Sequence, residues 1–147
     1  MKIWLACIAV ALCATAAWAA AKTPQQIVDD RVAGMKTMGG NVQAAGKAAT
    51  PAEAKAKIAA ALAFAETIPS AFPKGTGIGD KGVTKTRALQ DIWAKPTEFK
   101  AAADALADAL KAVDAALGDQ GKTDAAFGEV RKSCGGCHTP FRGPETE

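Results

Sequence analysis

The sequence predicts an all-α protein, an antiparallel four-helix bundle. Apolar residues recur at steps of three and four in four separate segments, and three of these segments begin with a proline at the expected first helical position. No stretch of alternating apolar and polar residues predicts a β-strand. Four amphipathic helices of this length can bury their apolar faces together in one domain.

The first two helices begin with the same capping pattern. Thr-Pro-Gln-Gln at 23–26 and Thr-Pro-Ala-Glu at 50–53 each place a threonine before a proline and Gln or Glu three residues later. The first helix therefore begins near Pro24 and the second near Pro51. The apolar seam of the first is Val28, Val32, Met35 and Val42, and that of the second is Ile58, Leu62, Ala65 and Ile68.

The third and fourth helices show the clearest period. Lys-Pro-Thr-Glu at 95–98 predicts the third start, and Thr123-Asp124, after a Gly-containing stretch, predicts the fourth. Pro140 lies near the end of the fourth helix and is expected to kink or stop it at about His138. The seam of the third is Phe99, Ala103, Leu106, Leu110, Val113 and Leu117; that of the fourth is Phe127, Val130, Cys134, Cys137 and Phe141.

A long irregular segment, residues 69–95, connects the second and third helices. Its glycines do not form a phosphate loop, because no Lys-Ser/Thr pair follows them and no strand precedes them. The segment is expected to be a crossover packed by Phe72, Ile78 and Trp93. Its length excludes a tight hairpin between the two helices.

The amino terminus has the pattern of a secretory signal peptide. Lys2 precedes an apolar stretch, residues 3–21, that only Thr15 interrupts and that ends in small residues. We expect a signal peptide at 1–21 and a mature domain at 22–147; an uncleaved membrane anchor is the alternative. Cleavage lowers the formal charge from +3 to +2, because Lys2 is the only charged residue of the leader, and this near-neutral charge does not indicate a nucleic-acid partner.

The mature chain keeps two of the four cysteines, both in Cys-Gly-Gly-Cys-His at 134–138. Two thiols at this spacing can add to the vinyl groups of one haem, and the next residue, His138, can bind the iron. A redox dithiol or half of a zinc site fits poorly, since no βαβ pattern is present and zinc needs four ligands. One covalent haem c is therefore expected inside the bundle. Apocytochromes receive haem outside the bacterial cytoplasmic membrane, so the leader and the motif both predict a periplasmic protein.

With this motif at the carboxyl end of a four-helix chain, the sequence resembles the class II c-type cytochromes, the family of cytochrome c′ and low-spin c-556. The likeness is strongest at 125–130 before the motif, in Phe141-Arg142 after it, and in the Trp93 to Phe99 spacing. The resemblance implies that Cys134 and Cys137 attach the haem and that His138 is the proximal iron ligand. It also implies that Arg142 lies by the proximal face and that Arg31 approaches a haem propionate.

The resemblance places Met35 on the distal side of the iron. If its sulfur binds, the iron is six-coordinate and low-spin; if it only packs there, the iron is five-coordinate and can bind NO or CO. The stretch 35–41 resembles the c-556 type, and Gly34 and Gly39 would let this helix approach the haem closely. These features favour ligation by Met35, with Met38 a distant second.

The expected function is therefore a periplasmic electron carrier with His138 and Met35 as axial ligands. The alternative is a five-coordinate cytochrome c′ that binds NO or CO. A haem enzyme such as a peroxidase is not expected, because the first helix offers no distal histidine. The implied partners are periplasmic redox proteins and a second copy of the chain, paired through the first two helices.

Overall fold

A computed structural model describes residues 21–144, so the predicted signal peptide lies outside the described residues except for Ala21. The helices are α1 (Pro24–Ala45), α2 (Pro51–Ala65), α3 (Asp91–Ala94), α4 (Pro96–Ala116) and α5 (Gln120–Phe141), with a 3-10 turn at Ile68–Ala71. None of these helices is long and apolar enough to span a membrane.

The four long helices, α1, α2, α4 and α5, are the four predicted ones, and the predicted fold class is confirmed. Short turns join α1 to α2 and α4 to α5, so each pair runs antiparallel. These two pairs pack closely, and α2 packs on α4 between them. By contrast, α1 and α5 are not closely packed against each other. The bundle is therefore least closed between the helix that carries Met35 and the helix that carries the Cys-Gly-Gly-Cys-His motif.

The predicted helix starts are correct for α1, α2 and α4, but wrong for α5. Thr23 accepts a hydrogen bond from the Gln26 backbone N–H in a complete capping box. The fourth helix begins at Gln120 rather than Thr123, because the Asp119 carboxylate caps it by accepting from the Lys122 N–H at 3.2 Å. The Thr123 hydroxyl instead donates to the Ala116 carbonyl and holds the α4–α5 turn.

The expected break at Pro140 does not occur, because α5 continues through Phe141. A proline in the last turn removes only one helical N–H donor there, and the chain that follows gains partners outside the helix. The Leu89 N–H donates to the Phe141 carbonyl at 3.1 Å, and the Gly143 N–H donates to the Arg87 carbonyl at 2.8 Å. The crossover segment therefore supports the end of α5.

The crossover segment is more ordered than its sequence predicts. It contains α3 and packs through Phe72 and Trp93, whose indole N–H donates to the Phe72 carbonyl at 2.9 Å. Two apolar side chains are more exposed than the pattern predicts: Ile78 is 36% exposed and Val32 of the α1 seam is 43% exposed. Periodicity alone cannot tell how wide a stripe the neighbouring elements will cover.

Gly34 of α1 lies directly against another helix, α2. A Cβ at this position would overlap the Phe64 ring of α2. The absence of a side chain at Gly34 therefore lets α1 lie close to α2. The expectation from the sequence that this glycine lets α1 approach the haem is not needed to explain the glycine. Gly39 and Gly40 differ, because a Cβ there would meet no atom within 4 Å.

We expect Gly34→Ala to destabilise the protein by about 1–3 kcal/mol, because the added methyl group overpacks against Phe64. Gly40→Ala is the matched control in the same helix, and it should stabilise by about 0.5–1 kcal/mol, since alanine is the better helix former where there is room. Guanidinium chloride unfolding followed by far-UV circular dichroism measures both. Equal stabilisation of the two variants would contradict the Phe64 contact.

Candidate haem-binding site

Cys134 and Cys137 lie one turn apart on α5, and both are half-buried and free. Both pack against the buried core, so the two thiols share the inward side of the helix. His138 follows directly and is exposed. At Gly135 and Gly136 an added Cβ would meet no atom within 4 Å, so the backbone between the thiols is open.

The surroundings of the motif favour the neutral forms of its ionisable groups. Burial raises the pKa of the Cys134 thiol, and burial together with the neighbouring Cys134 raises the pKa of Cys137. Although His138 is exposed as a residue, its side chain is partly covered, and this partial burial, followed by the positive charges of Arg142 and Arg87, lowers its pKa. A neutral imidazole keeps a nitrogen lone pair free to bind a metal.

Met35 lies on α1, and the motif lies on α5, a helix against which α1 is not closely packed. Met35 is half-buried and packs against the edge of the core, whereas Met38 is only 7% exposed and belongs to the core itself. Met38 is thus a core methionine, and Met35 is the one at the boundary. A thioether at this boundary can either bind an iron or serve as an apolar wall.

Arg31 is buried, at 4% exposure, which is unusual for a charged side chain. Its guanidinium donates to the Thr76 hydroxyl at 2.7 Å, to the Thr76 carbonyl at 2.6 Å and to the Thr86 hydroxyl at 2.8 Å. The guanidinium also lies 4.3 Å from the centroid of the Phe72 ring. Burial lowers the pKa of Arg31 to about 10, so it stays charged at neutral pH.

The partners of Arg31 were missed by sequence reasoning. Thr76 and Thr86 lie in the crossover segment, 45 and 55 residues along the chain from Arg31. Each threonine stands alone among residues such as glycine and lysine, and this local sequence does not indicate that the threonine will accept a hydrogen bond from a buried arginine.

Arg142 lies on the His138 side of the molecule. Its side chain is exposed, and its backbone N–H donates to the His138 carbonyl at 3.0 Å. Its backbone also pairs with Ala88 in an isolated antiparallel bridge. The structure thus brings together Cys134, Cys137, His138 and Arg142 on and just after α5, while Met35 and Arg31 lie on α1.

These residues fit a covalently bound haem. Such a group needs two inward thiols at the required spacing and an imidazole beside them, and the pKa of this imidazole is lowered. It also needs space, and the apolar face of α1 is not closely packed on α5. The aromatic-poor core, in which alanine is the commonest residue, is consistent with a large apolar group completing it.

The comparisons with known proteins agree with this chemistry. Residues 26–142 match the model of the cytochrome C′ family. The cytochrome c′ of Pararhodospirillum photometricum is 35% identical over 127 residues, which cover 82% of this chain and 98% of that protein. The cytochrome c-556 of Rhodopseudomonas palustris is 34% identical over 151 residues, which cover 94% of this chain and 95% of that protein. A solved nitric oxide complex of a cytochrome c′ variant from Alcaligenes xylosoxidans is 28% identical, with a TM-score of 0.71 and coverage of 84% of this chain and 98% of that one.

Proposed function

This chain belongs to the cytochrome c′ family, and we propose that it is a monohaem protein that binds nitric oxide or carbon monoxide at a five-coordinate iron. One covalent haem c is the cofactor of the family, so the cofactor predicted from the sequence is confirmed. The haem supplies an iron that can coordinate a diatomic gas on its open face. The residues of the chain hold that haem, provide one axial ligand and shape the other face.

In this proposal Cys134 and Cys137 form the two thioether bonds and His138 is the only axial ligand from the protein. The lowered pKa of His138 supports this role, because it favours the unprotonated imidazole, which has a nitrogen lone pair for the metal. Arg142 lies by the proximal face. Arg31 approaches a propionate. Its hydrogen bonds to Thr76 and Thr86 do not use its Nε–H.

The observation that carries the five-coordinate proposal is how α1 is held. Four residues before Met35, Arg31 donates a hydrogen bond to the crossover segment. Gly34, the residue directly before Met35, lies against Phe64 of α2. These contacts fix α1 to α2 and to the crossover, while α1 and α5 are not closely packed. In this proposal Met35 is the apolar wall of the gas site rather than a second ligand, and α1 is held in place without a bond from Met35 to the iron.

A His/Met electron carrier, which the sequence favoured, is the second candidate. The likeness to a cytochrome c-556 over nearly the whole chain supports it. In that case the Met35 sulfur completes the coordination of the iron and the protein passes electrons without binding a substrate.

Met35→Ala separates the two functions. For the five-coordinate protein we expect a high-spin ferric spectrum that the variant leaves unchanged, and CO association with the ferrous form about tenfold faster, a difference of ~1.4 kcal/mol, because the wall is removed. Absorption spectroscopy and flash photolysis measure these quantities. Met38→Leu, a volume-conserving change in the core, is the control and should alter neither. A low-spin ferric protein that becomes high-spin in Met35→Ala would instead establish the electron carrier.

We further propose that the chain is exported to the periplasm by its leader, residues 1–21, leaving the mature domain at 22–147. In the second candidate function, its partners there are periplasmic redox proteins. Pairing of two copies through α1 and α2 stays a prediction, and it is compatible with the many exposed alanines of α2.

A further inference from the structure

The two helices that carry Met35 and His138 are bridged by a short piece of the crossover segment. We call residues 84–89 the strap. Because α1 and α5 are not closely packed against each other, a segment bonded to both can set the distance between them.

On the α1 side, the strap is held by two side chains. The Gln25 side-chain oxygen accepts from the Thr84 N–H at 2.8 Å and from the Lys85 N–H at 3.2 Å. Nearly two turns later on α1, Arg31 donates to the Thr86 hydroxyl at 2.8 Å. Arg31 precedes Met35 by four residues, so the strap contacts α1 one turn before the distal residue.

On the α5 side, the strap is held by the chain that follows His138. The Arg87 side chain donates from Nε to the Gly143 carbonyl at 2.7 Å, and the Gly143 N–H donates to the Arg87 carbonyl at 2.8 Å. The Leu89 N–H donates to the Phe141 carbonyl at 3.1 Å. These contacts lie about one turn beyond the proximal ligand.

We propose that Thr86 and Arg87 are positioning residues that set the spacing of α1 and α5 and thereby control gas access to the distal face. Thr86 binds α1 and Arg87 binds the end of α5, and the two are adjacent in the chain. Consecutive Cα atoms are about 3.8 Å apart across a trans peptide, so the link between the two attachments is short and has little slack. This inference rests on the proposed function, because it takes the face walled by Met35 as the gas site.

Thr86→Val tests the proposal in the holoprotein, because it keeps the shape of the side chain and removes the oxygen that Arg31 binds. We expect CO association with the ferrous form to become about three- to tenfold faster, a change of up to ~1.4 kcal/mol in the barrier, because the strap loses its attachment to Arg31 and keeps only the one to Gln25. Hydrogen–deuterium exchange at the amides of Leu89 and Gly143 should also become faster. Thr86→Ser, which restores a hydroxyl, should return both quantities toward those of the original protein.

Thr123→Val is the matched control, since it removes another part-buried hydroxyl bond, at the α4–α5 turn. It should lower stability by a similar amount and leave CO association unchanged. The proposal is overturned if Thr86→Val leaves CO association unchanged, or if Thr123→Val accelerates it equally. Failure of the proposed function has a different signature, a low-spin ferric spectrum of the unaltered protein, and the exchange of Leu89 and Gly143 still tests the strap in that case.

Discussion

Replacing both cysteines of the motif, Cys134→Ala together with Cys137→Ala, is expected to abolish covalent haem attachment completely. Each single variant should keep one thioether bond, because the two thiols occupy separate positions one turn apart on α5. Haem staining after denaturing electrophoresis measures the loss. The mass of the intact protein, which falls by the mass of one haem, measures it independently.

Ser133→Ala is the control for this prediction. Ser133 precedes Cys134 directly and donates to the Glu129 carbonyl at 3.0 Å, so its removal perturbs α5 without touching a thiol. The variant should carry a full complement of covalent haem. Haem that stays attached to the double cysteine variant through denaturation would show that the motif is not the point of attachment.

The fold could be predicted because its signals are local. Thr23 with Pro24, and Thr50 with Pro51, define helix starts through groups within one turn of each other, and the structure has both caps. The α4 seam was equally readable, since Phe99, Leu110 and other members recur at the helical period and are buried. The motif cysteines could be placed on the inward side of α5 for the same reason.

The coordination of the iron could not be predicted, because it depends on contacts between distant segments. Met35 has the same sequence pattern whether it binds or packs. We propose that the position of α1 decides between the two, and α1 is held by the contact of Gly34 with Phe64 and by the bond of Arg31 to Thr86. The sequence does not indicate that Phe64 or Thr86 will contact α1. Local reasoning therefore favoured ligation by Met35, whereas the contacts that hold α1 support Met35 as an apolar wall.

Phe99→Ala is expected to produce the largest loss of stability, about 3–5 kcal/mol, because it removes a buried aromatic ring from the core. Phe99 is 5% exposed, and its ring packs edge-on against Phe72 at 5.0 Å and against Phe141 at 5.3 Å between centroids. It thereby joins α4 to the crossover segment and to the end of α5. Since small domains are stable by only about 5–15 kcal/mol, the variant should lose much of its resistance to guanidinium chloride.

Phe99→Leu separates ring packing from simple volume. Leucine keeps most of the apolar bulk, so it should cost less than alanine, with the remaining loss coming from the two ring contacts at about 0.5–1.5 kcal/mol each. A double-mutant cycle with Phe141→Leu measures the second contact directly, because independent sites would give additive losses in the free energy of unfolding. Additivity would mean that Phe99 supports the end of α5 only by filling space. A coupling energy would show that the ring pair itself ties α4 to the turn that follows His138, and hence that the core and the end of the helix that carries His138 are stabilised by the same contact.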